Sequence, residues 1–164
     1  MDKSATAGAT PTHPFDSAYD TVVVLDFGSQ YTPLIARRIR EASVYSEIVP
    51  FDVDAEKLRA LDPKGIVLSG SDASVHDEGA PGLPDWLLEA GIPVLGICYG
   101  MQALVHQLGG KVAPSAKQEF GYAVLHQDGS ESGDSSVLFK ELPTEFQVWM
   151  SHGDRVETLP PGFT

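Results

Sequence analysis

Cysteine is almost missing from this chain: Cys98 is the only one in 164 residues. An internal disulfide is therefore excluded, and a zinc cluster lacks its usual thiolates, so no metal site is expected. Basic residues are also scarce. Lys and Arg number 11 against 23 Asp and Glu, giving a formal net charge of −12. Such a balance disfavours nucleic acid or an anionic membrane surface as the main partner. The local cluster Arg37, Arg38, Arg40 reads as a solvated helix face. No apolar run approaches the ~18 residues of a membrane span. The N-terminus lacks the apolar core of a signal peptide, so a cytoplasmic location is expected. Internal repeats are absent. Residues 1–20, rich in Ala, Thr, Ser, Pro and Gly, read as a disordered leader, and 21–164 as one domain.

What is present is an ordinary globular composition, 42% hydrophobic and 21% charged,. The apolar run Val22–Leu25 predicts a strand over Thr21–Phe27 that is buried on both faces. A helical stripe follows over Tyr31–Ala42, with Pro33 tolerable in its first turn. Tyr45–Phe51 reads as a strand, Asp54–Leu61 as a short helix, Gly65–Gly70 as a third strand, and Pro84–Ala90 as a helix stopped by Gly91. Alternating strands and helices predict a mostly parallel α/β sheet with helices on both faces. After Gly110 the pattern changes. Short strands at Lys111–Ser115, Phe120–His126, Phe146–Met150 and Arg155–Leu159 suggest a smaller antiparallel or mixed extension. Gly129–Ser136 reads as a polar loop, and Ser151–Asp154 as a turn or a ligand-contacting loop.

The most informative stretch is Pro93-Val94-Leu95-Gly96-Ile97-Cys98-Tyr99-Gly100-Met101-Gln102. A buried strand, Val94–Ile97, runs straight into the cysteine, and a helix over Met101–Leu108 follows, closed by Gly109-Gly110. A lone cysteine is often just a small buried apolar residue. Flanking glycines at a strand-to-helix turn instead match a nucleophile elbow, in which the helix start offers backbone N–H groups to a developing oxyanion. Gln102, one turn later, is either a surface residue or a hydrogen-bonding partner for a substrate. Asp26, Gly70-Ser71 and Cys98 all fall at C-terminal strand ends, where ligands bind in parallel sheets.

Gly96-Ile97-Cys98-Tyr99-Gly100-Met101-Gln102 resembles the cysteine loop of class I, triad-type glutamine amidotransferases, which have a flavodoxin-like fold. Leu25–Thr32, Ile35–Glu41, Val44–Ile48, Glu119-Phe120-Gly121-Tyr122 and Trp149–Asp154 narrow the resemblance to the glutaminase domains of GMP synthases. It implies that Cys98 attacks the side-chain amide of glutamine, with the backbone N–H of Tyr99 as one oxyanion donor and the place of Ser71 as the other. Gly70, Gln102, Ser151, His152, Gly153 and Asp154 would hold the glutamine. The resemblance further implies a partner, an ATP-dependent synthetase domain in cis or in trans. ATP and Mg²⁺ would belong to that domain, and no cofactor is expected in this chain. Two departures stand out. The family's Ser-Gly-Gly-Pro is here Ser69-Gly70-Ser71-Asp72. The family's catalytic His-Pro-Glu segment is missing from these 164 residues, so the domain reads as incomplete at its C-terminal end. A non-catalytic relative that binds glutamine or a synthetase is the alternative.

Overall fold

The computed structural model describes residues 19–127 and 138–163, with only the backbone of 116–119. Most of the expected leader and the expected loop at Gly129–Ser136 lie outside the described residues. Nine elements follow in order: β1 (Thr21–Asp26), α1 (Thr32–Glu41), β2 (Tyr45–Pro50), α2 (Ala55–Ala60), β3 (Pro63–Leu68), β4 (Val94–Gly96), α3 (Tyr99–Gln107), β5 (Lys111–His126) and β6 (Glu145–Thr158). The first four strands form one parallel sheet in the order β2-β1-β3-β4. The last two form a separate antiparallel ribbon.

Side-chain alternation along the central strands divides the core in two. Val23, Leu25, Ile66 and Leu68 face Leu58 of α2 and Tyr99 and Ala103 of α3. Val24 and Val67 face Ala36 of α1, with Ile35 and Ile39 beside it. Helices thus cover both faces, and Val23, Val24 and Leu25 are fully buried, as the unbroken apolar run requires,. On α1 Arg37 and Arg38 form the expected solvated face, and only Arg40 ties the helix to β2. Arg37 and Arg38 pair with Glu41, and Arg40 donates to the carbonyl of Ser46.

Three expectations need correction. Pro84–Ala90 is not a helix: Asp85–Glu89 is a run of turns, with one bond from Leu87 N to Pro84 O. Burial of Leu83 and Leu87 in the core holds the segment as turns. Next, α3 begins at Tyr99, two residues earlier than the apolar stripe suggests. Finally, Lys111–Ser115 and Phe120–His126 are one long strand, and so are Phe146–Met150 and Arg155–Leu159. Ser151–Asp154 therefore lies inside β6, not in a turn. The register passes from Pro114↔Asp154 to Glu119↔His152. That irregularity falls on β5, where 115–118 stand against the single residue Gly153, so β6 passes through Ser151–Asp154 unbroken; a second shift, between Lys111 and Val112, leaves Glu157 as the extra residue on β6,.

Candidate active site

β4 delivers Cys98 into a turn that ordinary residues avoid. Its φ of 53° and ψ of −116° lie in a region that costs roughly 1–3 kcal/mol and needs support from its surroundings. The support comes from two close approaches. A Cβ added to Gly96 would stand 2.6 Å from Met101 Cα, and one added to Gly100 would stand 2.5 Å from Leu68 Cβ and 2.6 Å from Leu68 O. Neither place admits a side chain, so the end of β3 grips the start of α3 directly. Gly100 N donates to Ser69 O and Ile97 O, each at 3.0 Å, and Gln102 N donates to Cys98 O at 3.1 Å.

The neighbouring loop is fixed from beneath. Buried Ser69 accepts a hydrogen bond from Phe27 N at 3.0 Å and donates to Gly70 O at 3.1 Å. This ties the end of β1 to the end of β3. A Cβ on Gly70 would meet Cys98 Cβ at 3.6 Å and Ser29 Oγ at 3.5 Å, so Gly70 lies between the cysteine and Ser29. Ser71 follows at once. Its Oγ accepts from Ala73 N at 3.3 Å. Among the described non-glycine residues only Ser43, Asp62 and Cys98 have positive φ. The backbone at Ser71 and Asp72 is thus one any residue adopts, and a side chain in place of glycine brings no strain there.

β6 passes beside the sulfur. Cys98 is half-buried, and its Sγ–H points to Ser151 O at 3.7 Å. Gln102 is 4% exposed, and its Nε2 donates to Asp154 O at 3.0 Å. The Asp154 carboxylate in turn accepts from Ser74 Oγ at 2.5 Å. Ser151 and Asp154 are thus held at the two ends of their segment, with half-buried His152 and Gly153 between them. Direct contacts bring Cys98, Gly70, Ser151, Gln102 and Asp154 together. They give Gln102 a concrete task, gripping β6.

Tyr99 is 2% exposed and donates its hydroxyl to Pro81 O at 2.6 Å. Burial, with the Asp77 charge as a lesser cause, pushes its phenol pKa up. The side chain is therefore structural. The part of Tyr99 that can act chemically is its N–H, which opens α3 and has no acceptor within the helix.

Sequence reasoning missed Ser29 and Ser74. Ser74 carries a local signal, the Ser-x-x-Asp spacing to Asp77: Ser74 N donates to the Asp77 carboxylate at 2.7 Å,. Its bond to Asp154, 80 residues away, has no such signal. A looser His-x-Glu spacing does occur, at His76-Asp77-Glu78. His76 does not serve the cysteine. Its Nε2–H donates to Val112 O at 2.9 Å, and its ring meets His106 edge-on at 5.7 Å. His106 is eight residues along from Cys98, about 12 Å by helical rise. Among the described residues, no group of three or more His, Cys, Asp or Glu is arranged to hold a metal ion.

The family model for "Glutamine amidotransferase class-I" matches residues 23–164. The chain is 55% identical over 154 residues to a glutamine-hydrolysing GMP synthase of Thermomicrobium roseum, covering 94% of this chain and 28% of that one. It is 55% identical over 144 residues to the one from Thermosipho africanus, covering 88% and 27%. The chain thus spans little more than a quarter of these curated relatives. The crystal structure of a GMP synthase subunit from Thermoplasma acidophilum superposes with a TM-score of 0.74 at 34% identity, covering 89% of this chain and 71% of that one. A glutamine amidotransferase from Thermotoga maritima shares the fold, with a TM-score of 0.63 at 21% identity and coverage of 87% and 64%. The family match takes in the parallel sheet, the ribbon and the strained turn at Cys98, and the chain belongs to the class-I glutamine amidotransferase family.

Proposed function

We propose that this chain is the ammonia-supplying glutaminase module of a GMP synthase. The observation that carries the reading is the strained turn at Cys98, wedged by Gly96 and Gly100 and bordered by Gly70. In this reaction the Cys98 thiolate attacks the carboxamide carbon of glutamine. A C–S bond forms, the C–N bond breaks, and the nitrogen leaves as ammonia after taking up a proton. Water then cleaves the thioester, releasing glutamate and restoring the thiol. The N–H groups of Tyr99 and Ser71 are the proposed oxyanion donors. Gly70, Gln102 and Ser151–Asp154 position the glutamine, Gln102 by holding β6 in place.

Ammonia passes to an ATP-dependent synthetase module, which converts XMP to GMP with ATP and Mg²⁺. Both ligands belong to that module. The setting is cytoplasmic purine nucleotide synthesis. None of the described helices is long and apolar enough to cross a membrane.

These 164 residues alone are poorly active, because no His-Pro-Glu occurs among them. General acid–base help is typically worth 10²–10⁴-fold. The negative charge that Asp72 brings next to the proposed Ser71 donor favours a second reading, a relative that binds glutamine without chemistry. An electrophilic glutamine analogue such as 6-diazo-5-oxonorleucine decides between them. Stoichiometric labelling of Cys98, blocked by glutamine, supports the glutaminase; glutamine binding with no labelling supports the binder.

A further inference from the structure

The two proposed oxyanion donors stand on different elements. The N–H of Tyr99 opens α3, whereas that of Ser71 belongs to the loop after β3. An oxyanion needs both at one spacing, and a misplacement of about 1 Å can cost on the order of 10²-fold in rate. Before Ser71 the two elements are joined directly. Gly70 borders Cys98, and Gly100 N donates to Ser69 O at 3.0 Å. After Ser71 the loop has less to fix it. Ala73 and Val75 rest against the core, a contact without direction. Among the described residues, the one hydrogen bond made by Ser71, Asp72 or Ala73 is internal, from Ala73 N to Ser71 Oγ. The first directional tie beyond them is Ser74.

Ser74 N donates to the Asp77 carboxylate at 2.7 Å, and its Oγ accepts from His76 N at 3.3 Å, which folds the loop about this residue. Its hydroxyl proton points outward, to the Asp154 carboxylate, with oxygens 2.5 Å apart. A hydroxyl bonded to a carboxylate at such a distance is among the stronger hydrogen bonds. The same Asp154 accepts at its carbonyl from Gln102 Nε2 at 3.0 Å, and Gln102 lies on α3 three residues after Tyr99. A continuous path thus runs from Tyr99 along α3 to Gln102, through Asp154 to Ser74, and back along the loop to Ser71. We propose that Asp154 is the clasp that sets the spacing of the two oxyanion donors, and that Ser74 is a positioning residue acting through it. The Asp154 carbonyl holds the donor on α3, and the carboxylate holds the donor on the loop. This role rests on the glutaminase reading and adds to it a transition-state task for Asp154. A bond that merely joined ribbon to sheet would change stability and glutamine affinity; the clasp changes the rate of reaction at Cys98.

Labelling by 6-diazo-5-oxonorleucine reads that rate in the 164-residue chain. The ketone oxygen of the reagent takes the place of the carboxamide oxygen. The sulfur bonds the diazo carbon, that carbon takes up the thiol proton, and its C–N bond breaks to release N₂. Mass spectrometry at a series of reagent concentrations yields a maximal rate and a half-saturating concentration. Ser74→Ala is expected to lower the maximal rate at least tenfold, while Ser74→Thr, which keeps the hydroxyl, stays within threefold of the parent. Asp154→Ala is expected to fall as far as Ser74→Ala. The double variant should lie within twofold of either, because all three cut one bond. Iodoacetamide, whose reaction forms no oxyanion, should label every variant at the parent rate. A smaller fall in Ser74→Ala, losses that multiply in the double variant, or an equal loss with iodoacetamide overturns the clasp. If Ser74→Ala does not fold, Asp154→Ala against Ser74→Thr decides by the same limits. A labelled parent with an unchanged Ser74→Ala sinks the clasp alone, whereas a parent left unlabelled sinks the glutaminase reading and the clasp with it.

Discussion

Cys98 keeps a backbone conformation at φ 53° in which a Cβ is unwelcome and glycine is at ease. Cys98→Gly is therefore expected to raise stability by about 1 kcal/mol in thermal unfolding while abolishing labelling. A fall in stability would show that the sulfur itself holds the turn together. Ser74 makes a contrasting case. Ser74→Ala leaves the Asp154 carboxylate without its hydroxyl donor, at a cost of about 1–2 kcal/mol. Because Asp154 is also held by Gln102, the fold should survive. The half-saturating glutamine concentration for Cys98 protection is expected to rise several-fold, while labelling by a small neutral alkylator is unchanged. Tyr99 sets an alkaline limit. Its folded pKa is raised above the ordinary value near 10, so the folded state keeps a proton that the unfolded chain gives up. Stability is full below pH 10 and is lost as pH rises through the folded pKa. Tyr99→Phe should flatten that alkaline decline, as chemical denaturation at pH 9 and pH 11 would reveal.

At the level of elements, the contact that positions Cys98 is glycine against the end of β3 and the start of α3. Gly100→Ala forces a methyl to 2.5 Å from Leu68 Cβ, and overpacking of this kind costs about 1–3 kcal/mol or more. Gly82, where an added Cβ meets nothing within 4 Å, is the control. Its alanine variant should unfold within about 0.5 kcal/mol of the parent, as surface changes do. Equal unfolding midpoints for the two variants would contradict the wedge. The sequence made β1, β3 and α3 readable from their apolar runs; it placed β4 but not its burial, because Leu95 and Ile97 are 38% and 37% exposed on the last strand of the described sheet. It misread Pro84–Ala90, where Leu83 and Leu87 belong to the core but the segment is too short for its spacing to separate a helix from a turn. It also cut β6 at Ser151–Asp154. Gly and Asp there signal a turn, yet β5 absorbs the irregularity opposite Gly153, which no local pattern in β6 records.

For the whole molecule, the ribbon meets the parallel-sheet part, among the described residues, through buried Val112 and through polar contacts: Cys98 to Ser151, Gln102 and Ser74 to Asp154, and His76 to Val112. The cysteine sits at that seam. On the proposed glutaminase reading, the isolated 164-residue chain is expected to release ammonia from glutamine at less than about 1% of the rate of a full-length relative, since no His-Pro-Glu occurs among these residues,. Coupled glutamate dehydrogenase measurement checks this, and turnover comparable to the relative would refute it. Glutamine binding should in turn steady the seam. At a hundredfold excess over Kd, ligand linkage adds about 2.7 kcal/mol, so a saturating glutamine shift in Tm is expected, lost in Gln102→Ala.

The linear chain settled the fold class and the strand-to-helix placement of Cys98, because these rest on local periodicity and on glycines at a tight turn, and its quoted motifs carried the resemblance to the family. It also settled that Cys98 has no disulfide partner within these 164 residues, since composition alone decides that. The tertiary structure decided the rest. It brought Ser74 to Asp154 and Gln102 to the far strand, and it turned Phe120, Tyr122 and Trp149 together toward solvent beside the cysteine. Those outcomes depend on the register between β5 and β6 and on how the ribbon leans against α3. Both are set by the summed packing of residues distant in sequence, which no single stretch encodes.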